Sequence, residues 1–501
     1  MIFFIAMLAV SLVLDRAVRP RRAGELRLRG CVLHLLVMTG LFGLLLAGSG
    51  SAAIAAIAAT TAMALFVVTS NAKHAMLGEP LLFSDLALIA ALVRHPRFYF
   101  TALSTSQRWL LAIGAVSVPL ALAWLFVPRP TPHLAGLALA LSASATIVLL
   151  FAGTTFDSLA RTPDVEADLA RLGLIATLLL YWLRWRDMRD PLPCPAVGVA
   201  ERDRALPDII MVVQCESFAD PVALTGDARD ARPGLTRARR TASQWGELGV
   251  GSFGAYTMRT EYGVLFGRSE AALGFRRYDP FLTALGETSY ALSTRLRGEG
   301  YRCLFVHPHD MRFYRRDRLM PAIGFERLIG EENFAPGRPD GGRYIDDRTL
   351  GASLGDLVEA ATEPTFIYTV TMENHGPWDK DQLTGAPGGL DGYLDHLRSS
   401  DAMLDGLIDR LSGVGKSALL VFFGDHRPSI PGVTKPGDAR HTPYVMLRFA
   451  RDGRIETGAN DRRDLSPDAL HHAILRNLQR ADDGGAATLA DTVAVFRQPG
   501  V

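Results

Sequence analysis

Four short apolar runs in the C-terminal part of this 501-residue chain each end on a residue able to bind a metal or move a proton. Residues 209–213 lead into Gln214-Cys215-Glu216-Ser217 and 303–306 into His307-Pro308-His309-Asp310. Residues 365–371 lead into Met372-Glu373-Asn374-His375, and 418–423 into Gly424-Asp425-His426. Carboxylates and imidazoles are donors in divalent-metal sites and the usual acid–base groups. A fifth motif, Gly254-Ala255-Tyr256-Thr257-Met258-Arg259-Thr260-Glu261, places the hydroxyl of Thr257 where a helix is expected to start. Backbone N–H groups at a helix start favour an approaching anion such as a phosphate. A threonine hydroxyl becomes a nucleophile when it is activated, for instance by a divalent metal. Each motif has a plainer reading. Gly-Asp-His after a strand is commonly a turn, a lone Glu there is commonly solvated, His375 fits a loop, and Thr257 fits an N-cap. The convergence of the motifs at strand ends carries the functional reading.

For these residues to meet, the apolar runs must be neighbouring strands, because open parallel sheets bind ligands beyond the carboxyl ends of their strands. The chain from residue 209 onward satisfies that requirement. Candidate strands at 209–213, 303–306, 365–371, 418–423 and 444–449 alternate with helix-like segments such as 289–298 and 393–411. This alternation predicts an α/β domain with a mainly parallel central sheet.

The N-terminal part follows a different rule. Residues 1–153 hold eleven Arg and Lys against four Asp and Glu, whereas the remaining 348 residues hold 42 against 48. Residues 1–14 carry no charge, and their arginines follow rather than precede them, which points to a retained membrane helix rather than a secretory signal. Residues 30–72 are uncharged and long enough for two spans, with Gly48-Ser49-Gly50-Ser51 as the hairpin. Residues 109–128 and the stretch from 133 to about 151 bring the total to five. Between spans three and four, residues 71–108 read as a re-entrant or interfacial helix, or as an ordinary amphipathic connector. The arginine-rich loop at 16–29 favours the cytoplasm. Five spans would then leave the C-terminal domain there too, unless 172–183 forms a sixth short span; an interfacial helix fits that segment equally. Residues 184–208 read as a charged, Pro-rich linker. The mildly acidic C-terminal part has no basic stripe, which argues against nucleic acid as a partner. Cys31, Cys194, Cys215 and Cys303 form no C-x-x-C pair and are too few for a disulfide framework; Cys215 and Cys303 read as small buried residues.

These residues resemble the lipoteichoic acid synthase and phosphoglycerol transferase family of the alkaline phosphatase/sulfatase-like superfamily. The likeness rests on the five spans, the Lys73…Glu79-Pro80-Leu81…Ser84-Asp85 connector, Glu216-Ser217-Phe218, Thr257 ahead of Thr260-Glu261-Tyr262, Gly424-Asp425-His426, His375, and His307…Tyr314-Arg315-Arg316-Asp317. It implies a membrane domain of about five helices at 1–153, an interfacial helix and linker at 154–205, and a sulfatase-like catalytic domain at 206–501 on the periplasmic or extracytoplasmic side of the inner membrane. It implies one divalent ion, manganese being favoured and magnesium or zinc permitted, held by Glu216, Thr257, Asp425 and His426. Thr257 would be the nucleophile, His375 would pass the proton, and His307, His309, Tyr314 and Arg316 would hold a glycerol-phosphate head group. The implied donor is phosphatidylglycerol in the lipid bilayer, and the implied acceptor is a glycan or a glycerol-phosphate chain. The chain departs from the family in three places. Ala255-Tyr256 precedes Thr257 where relatives have Gly-Gly or Gly-Lys, which keeps Thr260 as a second candidate. His309 replaces a small polar residue, and Tyr314 stands where Trp is frequent. A sulfatase would use Cys or Ser in a C/S-x-P-x-R motif, which none of Cys194, Cys215 and Cys303 begins. Phosphoethanolamine transferases often carry several disulfides, which four cysteines do not favour. A sensor on a decayed scaffold would not retain Glu216, Thr257, Asp425 and His426 together.

Overall fold

The computed structural model describes residues 1–20, 28–86, 109, 113, 126–153, 157–194, 206–334, 344–378, 388–437 and 440–478. The uncharged N-terminal stretches fold as α1 (Ile2–Asp15), α2 (Leu28–Ser49), α3 (Ala52–Leu77) and α4 (Pro130–Ala152). By length and composition α2, α3 and α4 can cross a membrane. At 14 residues, α1 is shorter than the roughly 20 a full span needs. Small residues let α2 and α4 approach backbone to backbone: a Cβ on Gly43 would lie 2.7 Å from the Gly136 carbonyl oxygen. The expected hairpin turns at Gly50, and the Ser51 hydroxyl caps α3 by accepting from the Ile54 amide. The span expected at 109–128 and the connector beyond Leu86 lie almost wholly outside the described residues.

Two short helices follow, α5 (Val165–Leu172) and α6 (Leu174–Asp187). The expected apolar segment at 172–183 becomes a joint between the two parts of the molecule. Leu174, Ile175 and Leu178 of α6 pack into the core of the N-terminal helices. One turn on, the Tyr181 ring meets Phe275 and Tyr278 of the C-terminal domain at 4.9 and 5.8 Å.

The C-terminal domain is built on an eight-stranded sheet. Its strands and principal helices run β1 (Ile209–Cys215), α7 (Pro233–Thr241), β2 (Gln244–Gly249), α8 (Thr257–Phe266), α9 (Leu292–Gly298), β3 (Arg302–Val306), α10 (Arg316–Ala322), β4 (Arg327–Ile329), α11 (Asp347–Ala360), β5 (Thr365–Val370), α12 (Gly389–Gly413), β6 (Ala418–Gly424), β7 (His441–Phe449), β8 (Asp461–Arg462) and α13 (Pro467–Leu478). The strand order is β4-β3-β5-β1-β6-β7-β2-β8. The five strands from β4 to β6 are parallel, and β7 runs against both β6 and β2. β1 is buried on both faces, as a central parallel strand should be. Its Ile210 and Val212 pack with α8 and α13, while Ile209, Met211 and Val213 pack with α7, α11 and α12. Cys215 and Cys303 are buried and unpaired by disulfide. The five expected strands correspond to β1, β3, β5, β6 and β7. β2, with the sequence Gln-Trp-Gly-Glu-Leu-Gly, has two glycines and weak strand propensity; pairing with β7 makes it a strand.

Candidate metal centre and nucleophile

β1 and β6 are adjacent, parallel and in a register that sets Cys215 beside Gly424. The residues that follow, Glu216 on one side and Asp425-His426 on the other, therefore leave the sheet together. Gly424 is needed for this approach, since a Cβ there would lie 1.9 Å from the Phe218 carbonyl oxygen. One ligand atom each from Glu216, Asp425 and His426 lies within 4.8 Å of the others, and all three residues are buried. His426 Nε2 stands 3.4 Å from Glu216 Oε1 and 3.7 Å from Asp425 Oδ2. Asp425 Oδ1 accepts from the Ser217 and His426 amides, both at 2.8 Å, whereas its buried Oδ2 has no hydrogen-bond partner. The Ser217 hydroxyl donates to Glu216 Oε1 at 2.9 Å, and the Glu216 amide donates to Thr371 Oγ1 at 3.1 Å.

Burial, then the charge of Glu216, pushes the Asp425 carboxyl up to about 7. Burial alone would lower His426, but Asp425 and then Glu216 hold its imidazole above the ordinary value. Burial alone would raise Glu216, but His426 and then His375 hold its carboxyl below the ordinary value. Two buried carboxylates this close repel one another unless positive charge stands between them. A second carboxylate, an imidazole and an orphaned carboxylate oxygen converge here, which fits a divalent ion with mixed oxygen and nitrogen ligands.

Thr257 opens α8. Its Oγ1 donates to Glu216 Oε2 at 3.2 Å, so the hydroxyl faces the same cluster. The residue before it, Tyr256, is the N-cap, adopts the left-handed conformation at φ +68, and makes no side-chain cap. The Arg259 amide donates to the Tyr256 carbonyl at 2.9 Å, so it is the Thr257 and Met258 amides, with the helix dipole behind them, that can meet an approaching anion. Thr260 is buried one turn on, and its hydroxyl donates to the Asp425 backbone carbonyl at 2.7 Å.

The ends of β3 and β5 supply a second wall. His307 is buried; its Nδ1 donates to the Val370 carbonyl at 2.9 Å, and its Nε2 accepts from Arg316 Nη1 at 3.1 Å. Burial, then the Arg316 charge, drives the His307 imidazole well below its ordinary value, which leaves it neutral. Arg316 is equally engaged, through two bonds of 2.6 and 3.1 Å to Glu261 of α8. His307 and Arg316 therefore form an internal brace, and the Arg316 guanidinium lies 5.2 Å from the Tyr314 ring centroid. Above the brace, His309 is in ring contact with Phe313 and Tyr344, both at 6.1 Å, and Tyr344 with His375 at 5.8 Å. His375 Nδ1 donates to the Gly376 carbonyl at 2.6 Å, which leaves Nε2 as the ring nitrogen able to exchange a proton.

The structure thus brings Glu216, Thr257, Asp425 and His426 into one cluster. It sets His309, Tyr314 and His375 along the adjoining wall, with His307 and Arg316 beneath. Sequence reasoning missed Ser217, Glu261, Thr371 and Tyr344. Glu261 was visible only as part of the Thr-Glu-aromatic step, and nothing in the sequence around Tyr344 marks its place between two imidazoles.

Residues 208–476 match the Sulfatase family. The capsular polysaccharide biosynthesis protein RkpI of Rhizobium meliloti (strain 1021) is 28% identical over 445 residues, 84% of this chain and 82% of RkpI. A putative cyclic beta-1,2-glucan modification protein of the same organism is 27% identical over 256 residues, 49% of this chain and 39% of that protein. Among solved structures, the integral membrane protein lipooligosaccharide phosphoethanolamine transferase A (EptA) from Neisseria meningitidis superposes with a TM-score of 0.54 at 14% identity, covering 95% of each chain. The arrangement of N-terminal helices followed by a sulfatase-like α/β domain therefore recurs over nearly the whole length.

Proposed function

Since this chain belongs to the Sulfatase family, we propose that it is a membrane-anchored phosphotransferase that moves glycerol phosphate from phosphatidylglycerol to a glycan. The observation that carries this reading is the Thr257 hydroxyl, held 3.2 Å from Glu216 Oε2 within the buried Glu216, Asp425 and His426 cluster. A hydroxyl so placed suits transfer through a covalent enzyme intermediate. A divalent ion held by Glu216, Asp425, His426 and Thr257 would act there as a Lewis acid toward the phosphate and the attacking hydroxyl.

The chain's own residues divide the remaining work. Thr257 Oγ bonds to phosphorus as the bond from phosphorus to the diacylglycerol oxygen breaks. The Thr257 proton leaves along the existing hydrogen bond toward Glu216 Oε2. His375, entering the cycle protonated on both ring nitrogens, gives its Nε2 proton to the departing diacylglycerol oxygen. In the second half the acceptor hydroxyl returns a proton to His375 Nε2, its oxygen displaces Thr257 Oγ, and Thr257 regains its own proton. Tyr314 and His309 line the side on which a glycerol head group would lie, and the brace of His307, Arg316 and Glu261 keeps that wall in place. The N-terminal helices hold the site beside its lipid donor, which raises the donor's effective concentration.

A glycan acceptor is supported by the two Rhizobium relatives, one named for capsular polysaccharide biosynthesis and one for glucan modification. Manganese is the ion we propose, with magnesium or zinc compatible with the same donors. The test is to incubate the full chain in detergent with phosphatidylglycerol labelled in its head-group glycerol and, in parallel, with labelled phosphatidylethanolamine. A glycerophosphate adduct on the Thr257 peptide and label in a glycan are expected. An ethanolamine-phosphate adduct instead would replace the donor, and label in a polyglycerol-phosphate chain would replace the acceptor.

A further inference from the structure

The segment from Lys73 to Asp85 has no part in the chemistry above, yet its charged side chains end on the loop that carries Thr257. Tyr256, immediately before Thr257, stands at φ +68, a conformation disfavoured for any residue with a side chain. Its hydroxyl donates to Asp85 Oδ1 at 2.8 Å across 171 residues of sequence. The Arg259 guanidinium and Lys73 Nζ lie 4.2 and 5.1 Å from the Tyr256 ring centroid. Asp85 Oδ2 is itself fixed, accepting from Lys73 Nζ and from the Leu82 amide, both at 2.7 Å. Arg259, two residues after Thr257, grips Glu79 through bonds of 2.6 and 3.1 Å, with side chains only 7% and 15% exposed. Near the metal ligands, the Ser429 hydroxyl donates to the Met76 carbonyl at 2.9 Å.

Thr257 is therefore bracketed on both sides by residues whose side chains terminate on the segment following α3. Charge pairs this far removed from water and bidentate in geometry are directional constraints rather than incidental surface contacts. Glycine would accept φ +68 without strain, whereas the conformation of a tyrosine there depends on what its hydroxyl and ring meet.

We propose that residues 73–85 form a strut in which Asp85, acting on Tyr256, and Glu79, acting on Arg259, set the backbone that aims the Thr257 hydroxyl. Asp85, Glu79, Tyr256 and Arg259 are positioning residues; the proposal rests on Thr257 being the nucleophile. When Asp85 is lost, Tyr256 relaxes toward negative φ, the start of α8 turns, and Oγ leaves its line of attack. Lipid binding is expected to persist, because the head-group residues His309 and Tyr314 are not among the partners of Asp85.

A double-mutant cycle in the full chain tests this. Asp85→Ala is expected to lower kcat about tenfold or more with little change in KM for the lipid, since small misplacement of a reacting atom is costly. In the Tyr256→Gly background the same Asp85→Ala change should cost less than about twofold, because glycine holds the left-handed conformation unaided. Tyr256→Phe, which deletes only the hydroxyl, should repeat the kcat loss and serves if Asp85→Ala does not fold. Hydrogen exchange at the amides of residues 254–260 is measured on the same proteins. Asp85→Ala should speed exchange in the Tyr256 background and not in the Tyr256→Gly background. Equal kcat losses in both backgrounds, or no loss in either, overturn the strut. Exchange needs no donor, so exchange controlled by Asp85 without glycerophosphate transfer keeps the strut and rejects the donor. Transfer with exchange indifferent to Asp85 keeps the donor and rejects the strut.

Discussion

Thr257 and Thr260 lie one turn apart on α8, and their hydroxyls meet different partners. The Thr257 hydroxyl faces the Glu216 carboxylate, while that of Thr260 is tied to the Asp425 carbonyl. Thr257→Ala should abolish the covalent adduct while metal content and lipid binding persist. Thr257→Ser should retain part of the activity, because a hydroxyl remains. Thr260→Ala should remove one buried hydrogen bond, costing about 1–3 kcal/mol of stability through the unpaired Asp425 carbonyl, with a much smaller loss of turnover. Mass spectrometry of trapped enzyme checks all three; an adduct on Thr260 would move the nucleophile. Asp425→Ala should abolish metal binding and end transfer while far-UV circular dichroism stays unchanged, since the carboxylate lies just past the end of β6 and bonds the Ser217 and His426 amides, outside the sheet ladder. Metal analysis alongside activity decides this, and transfer at full metal content would place the site elsewhere.

At the scale of elements, α8 joins the site to the domain core. Its Glu261 pairs with Arg316 in a fully buried contact, so Glu261→Ala would strand a buried guanidinium. The expected cost is about 3–5 kcal/mol, read as a lower unfolding midpoint of the full chain in detergent. α13 packs against the other end of α8, where the His471 ring closes over Gly267 and its Nδ1 donates to the Val264 carbonyl at 2.9 Å. Burial, then the charge of His472, pushes the His471 imidazole down to about 3, below its ordinary 6.5. Below pH 6.5 the unfolded chain binds a proton that the native chain refuses until about pH 3. Stability from this group is therefore flat above pH 6.5 and falls as the pH drops, by about 1.4 kcal/mol per pH unit. Denaturant unfolding at pH 7 and pH 5 should show that slope, and His471→Gln should flatten it. An unchanged slope in the variant would assign the pH dependence to other groups.

At the scale of the whole molecule, the N-terminal helices and the α/β domain meet through α6 and through the segment after α3. The proposed topology places the catalytic domain outside the cytoplasm, where extracytoplasmic glycans are reached. A reporter fused after Asp208 should be active only in the periplasmic or extracytoplasmic compartment. Activity of a cytoplasm-only reporter at that position would overturn the proposed donor and acceptor together. Treatment of the full chain with a chelator should stop transfer, and manganese should restore it. Activity that survives complete metal removal would reject the reading of the Glu216, Asp425 and His426 cluster.

The residue types of the cluster and the strands that end on them were legible in the sequence, because apolar runs and their polar ends are local patterns. The long uncharged stretches were legible for the same reason, since hydrophobicity over about 20 residues needs no partner to be read. Other features depend on long-range pairing. That Glu216 and Asp425 emerge side by side follows from the register of β1 on β6, strands about two hundred residues apart. That the Thr257 hydroxyl reaches the carboxylates while Thr260 is tied to a backbone carbonyl follows from how α8 sits against β6. In the sequence the departure at Ala255-Tyr256 keeps Thr260 open as a second candidate beside Thr257. Arg316, marked with His307 by its motif as a head-group contact, is paired with Glu261 because a buried guanidinium requires a carboxylate partner, and His307 accepts from Arg316 in turn. Tyr256, a departure from the family pattern with no evident purpose in sequence, finds its reason in Asp85. Composition and periodicity report what each segment can bury or expose, but a hydrogen bond between distant residues exists only once the chain has folded around it.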